Sequence, residues 1–508
     1  MSDQVLTVRL HQADNVVTAK QTIVAGAPVP PQGILAIAEI PAGHKVATQA
    51  IAAGEAVRKY NQIIGFATEG IPAGQHVHTQ NVEMKAFKRD YAYGVDACNT
   101  AFVPEAECAT FQGIMRADGR VATRNYIGII SSVNCSATVA NYIADAFRGD
   151  ALANYPNIDG VVALTHGSGC GMSNYGIGWE FLQNTLNGYK SHPNFAGVVA
   201  VGLGCEVNQI SGMIEQHGWQ TGKMLSTMTI QDTGGTRKTI EEGIARIREM
   251  LPEADKAERQ AVPASHIVLG LECGGSDAYS GITANPALGA AADLLVRHGG
   301  TAVLAETPEV YGAEHLLTRR AVSKAVGDKL VKHILWWEEY AEKHGAELNN
   351  NPSPGNKAGG LTTILEKSLG AVAKGGTTNL VDVYQYGELV TEKGFCFMNT
   401  PGYDVTSVNG MVAGGANVVC FTTGRGSAFG CKPTPILKLA SNSTMYQRLE
   451  EDMDINCGPI VDGDESVEEV GERIFHKILA TASGEPTKSE ALGYGDNEFV
   501  PWQIGAYM

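Results

Sequence analysis

Residues 5 to 84 alternate short apolar stretches with turn pairs. Val5–Leu10, Ile34–Ile40, Val46–Ala47 and Ile63–Phe66 are the stretches, and Ala42-Gly43, Ala53-Gly54 and Ala73-Gly74 punctuate them. No helical stripe runs through the segment, so the spacing predicts a small all-β domain over residues 1–84. An internal echo supports it: Ile40-Pro41-Ala42-Gly43-His44 resembles Ile71-Pro72-Ala73-Gly74-Gln75-His76. Residues 85–110 carry no periodicity and read as a linker. From Phe111 the pattern changes to apolar runs followed by helical segments. Tyr126–Val133 precedes Ala137–Phe147, Gly160–Thr165 precedes Ile177–Leu186, and Gly197–Leu203 precedes Gln209–His217. His266–Leu271 follows the charged helical stretch Ile240–Ala257. Strands alternating with helices imply a parallel sheet with helices on its faces. The expected fold is therefore α/β: the small β domain, a Rossmann-like parallel-sheet domain over 111–260, and a second α/β domain over 261–508. That last part holds the densest Gly/Asn/Ser/Thr loops, with a helix-like piece over Thr318–His344.

Composition narrows the classes. Of 508 residues, 38 are Lys or Arg and 54 are Asp or Glu, and 38 − 54 is −16. A pI near 5.3 argues against nucleic acid or an anionic membrane as partner, since both select basic surfaces. Glycine, 60 of 508 residues, exceeds the usual ~7%, which points to many tight turns and close backbone approaches. No leader pattern and no long apolar run is visible, so the expected location is the cytoplasm, where ten cysteines are thiols or metal ligands rather than disulfides.

Parallel sheets bind ligands at the carboxyl ends of their strands, and the chemistry-bearing residues cluster there. Cys135, Cys170, Cys205 and Cys273 each follow an apolar run. If those runs share one sheet, the four thiols converge and can hold a soft metal or an iron–sulfur cluster; otherwise each is a small buried hydrophobe. In His76-Val77-His78, residues two apart on a strand share a face, so both imidazoles can reach one ion, with Asn81 adding an oxygen. His44 and Lys45 follow a glycine turn in the same domain and are candidates for proton carrier and counter-charge. The block Asn351–Gly360, with Asn356 and Lys357, suits anionic oxygens. Thr422–Ser427, with Thr423 and Arg425, offers hydroxyls and a guanidinium. Arg124 and Asn125 form another polar turn before the first long strand, and Ser276 lies in the Glu272–Asp277 loop. No GxGxxG after a strand, no P-loop, no HExxH and no GxSxG elbow is present, which removes the common nucleotide, zincin and serine-hydrolase readings.

These strings carry a resemblance over nearly the whole length. The chain resembles the altronate/galactarate dehydratases, sugar-acid dehydratases with an N-terminal SAF domain. The similarity runs through Asp14-Asn15-Val16, Gly43–Ala47 and Lys59-Tyr60, then Asp118–Val121, Arg124-Asn125 and Gly202–Glu206. It is most specific in Glu272–Asp277, Ser280–Gly289, Asn351–Gly360, Glu366–Gly370 and Phe421–Gly426. The resemblance implies dehydration of an aldonic or aldaric acid to a 2-keto-3-deoxy acid, with Fe2+, or Mn2+, as activator. His76–Asn81 looks like the altronate branch, whereas Met453–Asn456 and Glu468–Gly471 look like the galactarate branch. D-Altronate is the favoured substrate; galactarate, or expulsion of sulfite from a sulfonated hydroxy acid, is the alternative.

Dehydration across C2–C3 requires stabilisation of an enediolate and help for a departing hydroxide. On this reading His76 and His78 are metal ligands, and His44 or Lys45 is the acid/base. Glu272 or Asp277 supplies a ligand or a base. Arg425 and Lys357 hold the distal carboxylate or hydroxyls, and Arg124, Asn125, Ser276, Asn356 and Thr423 complete the substrate contacts. A second version places an iron–sulfur cluster on Cys135, Cys170, Cys205 and Cys273. The expected partners are the sugar acid and further copies of the chain. A sensor that binds sugar acids would keep the polar loops without turnover, but the intact thiols, histidines and charged residues argue against it.

Overall fold

The computed structural model describes residues 6–506 apart from 86 and 88. Val5, the start of the first expected strand, lies outside them. The N-terminal domain is all β. Its four-stranded antiparallel sheet runs Thr7–Val8, Val16–Ala19, Lys45–Ala47 and His76–Val77, and Ala56–Lys59, Gln62–Ala67 and Val82–Glu83 form a second, three-stranded sheet. Strand side chains alternate between faces, and here both faces are buried. Val17, Ala19 and Val46 pack in the domain's own small core with Ile23 and Ile40. Val16, Ala47 and Val77 belong instead to the large core that includes Leu269, Leu271 and Ile364. The β domain is thus joined to the C-terminal domain by the second face of its sheet.

The segment after it has one short 3-10 turn, Glu105–Glu107, among the described residues. It lies along the C-terminal domain, where Arg89 pairs with Glu314 and the Tyr91 hydroxyl donates to the same carboxylate at 2.8 Å. Two parallel sheets follow. The first has four strands in the order Gly160–Leu164, Tyr126–Ser131, Phe195–Gly202, Leu225–Thr229. The second has seven: Leu380–Tyr384, Gly394–Met398, Thr301–Leu304, Val268–Cys273, Val418–Thr423, Ile436–Ala440, Ile455–Asn456. An antiparallel sheet, Val121–Ala122, Thr110–Met115 and Arg259–Pro263, lies in the chain's passage into and out of the four-stranded unit.

Two expectations change. Val268–Cys273 is a strand of the seven-stranded sheet, so Cys273 does not share an edge with Cys135, Cys170 and Cys205. The run Thr318–His344 is not one helix: Glu314–Thr318 ends, and Lys324–Lys343 restarts with Ser323 accepting from the Val326 amide. A Ser N-cap stops a backward extension of the helix because its side chain takes over a terminal amide.

Candidate functional site

The site is built where the carboxyl edge of the seven-stranded sheet meets the β domain. Val268–Cys273 and Val418–Thr423 are adjacent parallel strands, and the loops that leave them are tied together. The Gly424 and Arg425 amides donate to the Gly275 carbonyl at 3.1 and 2.9 Å. The Asp277 carboxylate accepts from the Ser280 amide at 2.8 Å, from the Ser280 and Ser441 hydroxyls at 2.9 Å each, and from the Asn442 amide group at 3.1 Å. A third loop, 351–360, contains the short helix Pro354–Ala358. Ser353 and Asn356 cap it reciprocally, and Asn356 Nδ2 donates to the Ser276 carbonyl at 2.8 Å. The Ala278 amide donates to the Gly359 carbonyl at 2.9 Å.

The β domain closes on these loops through Gly43. Its φ of +81° suits glycine, and a Cβ there would lie 3.3 Å from the Gly359 carbonyl oxygen. The next two residues diverge because strand side chains alternate. Lys45 turns inward: its Nζ donates to the Gly360 carbonyl at 2.6 Å and pairs with Glu366 at 2.9 Å, and Lys59 reaches the other Glu366 oxygen at 3.1 Å. All three side chains are buried. The Tyr279 hydroxyl adds a third clasp, donating to the Ala19 and Lys20 carbonyls at 3.0 Å each.

His44 meets the other two histidines. Its Nδ1 is 3.0 Å from His76 Nε2, its Nε2 is 3.3 Å from the Ala358 carbonyl, and its ring centroid is 4.6 Å from that of His78. The His76 and His78 rings stack at 5.5 Å, and one ring nitrogen from each of the three residues lies within 4.8 Å of the others. His78 Nδ1 is buried with no hydrogen-bond partner. Burial lowers His76 to about 4, helped by the charges of His44 and Lys45. Burial and the Lys45 charge lower His78 to about 3, and burial also lowers His44. Neutral imidazoles with an orphaned nitrogen suit a cation, and an all-nitrogen donor set favours iron over manganese. Asn81 is not part of it. Its Oδ1 accepts from the His78 amide and its Nδ2 donates to the His76 carbonyl, so it shapes the turn.

Beneath the loops lies a fully buried cluster that the sequence reading missed, apart from Glu272 and Cys273. The Cys273 sulfur is 3.5 Å from Glu306, 3.4 Å from Glu309 and 2.8 Å from Lys374 Nζ. Lys367 pairs with Glu309 at 2.6 Å. Burial raises Glu272 to about 8 and holds Glu306 well above the carboxylate range, whereas Lys367 and Lys374 outweigh burial at Glu309 and keep it ionised. Cys273, Glu306 and Glu309 also have ligand spacing. The Lys374 ammonium lies against the thiol, and burial holds Glu272 and Glu306 toward their protonated forms beneath the site. Two signals mark the cluster: Glu306 and Glu309 lie in the turn just after the strand Thr301–Leu304, Glu309 closing the 3-10 turn Thr307–Glu309, and Glu306 has a φ of +67°, an uncommon value for a residue with a side chain.

Several expected roles are corrected by this geometry. Lys45 is committed to a buried ion pair and is not available as an acid or base. Asp277 spends its carboxylate oxygens on loop donors, and Asn356 spends its side chain on capping and on Ser276, so both position the loops. Glu272 is sealed below, its Oε2 accepting from the Ser407 hydroxyl at 2.7 Å. Arg124 is bidentate to Glu490 at 2.6 and 2.8 Å, and Asn125 donates to the Asn157 and Ala254 carbonyls, so both are structural and remote from the loops. Thr423 is buried and accepts from the Gly426 amide at 3.0 Å. Arg425 is exposed and Lys357 half-buried. Cys135, Cys170 and Cys205 are exposed on the other sheet.

Three family profiles cover the chain. The Altronate/galactarate dehydratase SAF domain matches residues 5–85, and the second domain of D-galactarate dehydratase/Altronate hydrolase matches 113–255. The D-galactarate/Altronate dehydratase C-terminal profile matches 264–507. The chain is 37% identical to a galactarate dehydratase (L-threo-forming) of Escherichia coli strain K12, across 94% of this chain and 92% of that one. It is 34% identical to an altronate dehydratase of Bacillus subtilis strain 168, across 95% and 96%. It is 30% identical to the beta subunit of a (2R)-sulfolactate sulfo-lyase of Chromohalobacter salexigens, across 78% and 98%.

Proposed function

The chain belongs to the altronate/galactarate dehydratase family, and from that premise we propose that it is a hydro-lyase converting a sugar acid, D-altronate first and galactarate second, to a 2-keto-3-deoxy acid. The observation that carries this reading is the convergence of His44, His76 and His78 on the loop 353–360. Three neutral imidazoles meet there beside Lys357 of the same loop, which packs through Asp277 on the turn carrying Arg425, a setting for an anion.

His76 and His78 are the residues that would hold Fe2+, and a bound ferrous ion would supply Lewis-acid stabilisation to the substrate carboxylate as C2 loses its proton. His44 moves the proton. Its Nε2–H donates to the Ala358 carbonyl in the free protein; once substrate displaces that contact and the ring hydrogen sits on Nδ1, the Nε2 lone pair takes the proton from C2, and the imidazolium returns it to the departing C3 oxygen, which leaves as water. His76 Nε2 and His44 Nδ1 share one hydrogen, which orients the His44 ring for that exchange. The enol product tautomerises to the 2-keto acid. The β domain is held over the loops by Lys45–Glu366 and Tyr279, which fixes His44 against the Ala358 carbonyl. Arg425 and Lys357 bind the far end of the substrate.

The test is formation of 2-keto-3-deoxy acid from D-altronate and galactarate, side by side, on anaerobic protein supplied with ferrous iron. Turnover of either establishes the reaction and the faster one names the substrate; product from neither, with sulfite released from a sulfolactate, would overturn it. Arg425→Ala is expected to raise KM by roughly 10- to 100-fold with a smaller change in kcat, the loss of one charge-assisted contact worth about 1.5–3 kcal/mol.

A pH prediction arises from the clasp. Burial alone would raise the Glu366 carboxyl, but the Lys45 and Lys59 ammoniums and the hydrogen bonds from Lys45 and Thr362 bring it down to about 2. Its folded value lies below its ordinary 4.5, so its stabilisation is complete above about pH 5 and is lost as the pH falls from there through about 2. The urea-midpoint gap between wild type and Glu366→Gln is expected to be large at pH 7 and to shrink by pH 3. An equal gap at both would refute the linkage.

A further inference from the structure

The three remaining strand-end thiols form a second constellation, away from the histidines. Gly160–Leu164, Tyr126–Ser131 and Phe195–Gly202 are adjacent strands, about 4.8 Å apart, and Cys170, Cys135 and Cys205 lie on the loops that leave their carboxyl ends. These loops are sewn to one another beside the cysteines. The Asn134 amide donates to the Ser168 carbonyl at 3.0 Å, and the Asn208 amide donates to the Gly169 carbonyl at 3.0 Å.

Buried polar side chains hold each loop from below. The Glu206 carboxylate accepts from the Ser132 hydroxyl at 2.6 Å and from the Leu203 and Gly204 amides at 3.1 and 2.6 Å. Asn208 Nδ2 donates to the Ser132 carbonyl at 2.8 Å, and His166 bridges the Ser131 carbonyl and the Ser168 hydroxyl at 3.0 Å each. Glycine flanks the cysteines where backbones approach most closely: at Gly169, φ +98°, a Cβ would lie 2.3 Å from the Ser132 carbonyl oxygen. A scaffold this committed ordinarily surrounds packed side chains. Here it presents three exposed thiols at the edge of a parallel sheet, where ligands bind. Gln231 Nε2 lies 3.4 Å from the Cys205 sulfur, an amide donor of the kind that tunes a ligating thiolate.

The donor type narrows the ligand: thiolates select soft metals and iron–sulfur clusters. A single tetrahedral ion with metal–sulfur bonds of about 2.3 Å needs its sulfurs about 3.8 Å apart. Among the described residues, the groups of three that bring ligand atoms within 4.8 Å do not include these thiols. A polynuclear cluster spaces its thiolates further, because each binds a different iron. We propose that Cys135, Cys170 and Cys205 form a site for an iron–sulfur cluster, with Cys273 excluded because it sits in the other sheet against Lys374.

This inference does not depend on the dehydratase reading, and its test does not use turnover. Full-length protein is purified anaerobically, reconstituted with ferrous iron and sulfide, and desalted. The expected result is a brown protein retaining roughly three to four iron and as many acid-labile sulfides per chain. Cys135→Ser, Cys170→Ser and Cys205→Ser are each expected to lose the absorbance and sulfide at least tenfold, with unchanged circular dichroism, because the side chains are exposed. Cys98→Ser, at another exposed thiol, keeps both. Wild type that retains no sulfide, iron bound without sulfide, or a cluster that survives all three substitutions would each overturn the proposal.

Discussion

His44→Gln is expected to abolish measurable dehydration, a loss of at least 10²- to 10⁴-fold in kcat, while leaving the protein folded. The side chain is the link between the metal-holding pair and the substrate loop: it contacts His76 at Nδ1 and the Ala358 carbonyl at Nε2. Glutamine preserves a polar group of similar reach but cannot accept a proton from carbon and return it to oxygen. Its backbone role is small, since the turn is set by Gly43 and the strand by Val46 and Ala47. Thermal unfolding within about 2 °C of wild type, together with retained iron binding, separates a lost proton carrier from a lost fold. Activity within tenfold of wild type would remove His44 from the mechanism.

Glu366→Gln should cost about 3–5 kcal/mol, because it leaves two buried ammoniums without their counter-charge. Lys45 and Glu366 are both fully buried, 0% exposed on either side. The damage is expected to fall first on the seam between the β domain and the C-terminal domain, since Lys45 and Lys59 belong to one and Glu366 to the other. Chemical denaturation reports the loss, and limited proteolysis near residues 85–110 reports where it occurs. A variant as stable as wild type would mean that the lysines deprotonate at little cost. A companion change, Lys45→Met with Glu366→Leu and Lys59→Met, should recover much of the loss by replacing the ion pairs with apolar packing. Recovery of stability without recovery of activity would show that the clasp also places His44.

The same lysine illustrates how far a sequence can be read. Lys45 stands next to His44 after a glycine turn and looks equally suited to proton transfer. On a strand the two side chains point in opposite directions, and nothing local says which one faces the substrate loops. Only Glu366, 321 positions away, decides it. The His-x-His pair was legible because period-two geometry puts both rings on one face; the arrival of His44 was not, because it depends on the pairing of Lys45–Ala47 with His76–Val77. Glu306 and Glu309 carry no comparable local signal, since two carboxylates in the turn after a strand look like solvated charge until burial is known.

By itself the sequence determined the element types and their order: an all-β start punctuated by Ala-Gly turns, then strands alternating with helices, with polar and thiol-bearing loops at strand ends. These follow from local periodicity and turn chemistry, which act over a few residues. Tertiary structure alone decided which strands share a sheet, and so parted Cys273 from Cys135, Cys170 and Cys205. It also decided which charges are buried together, making Lys45 a clasp, Arg124 an internal strut and Asp277 a loop anchor. The physical reason is that burial and ion pairing are long-range properties: a residue's solvation, and with it its acidity and availability, is set by partners hundreds of positions away.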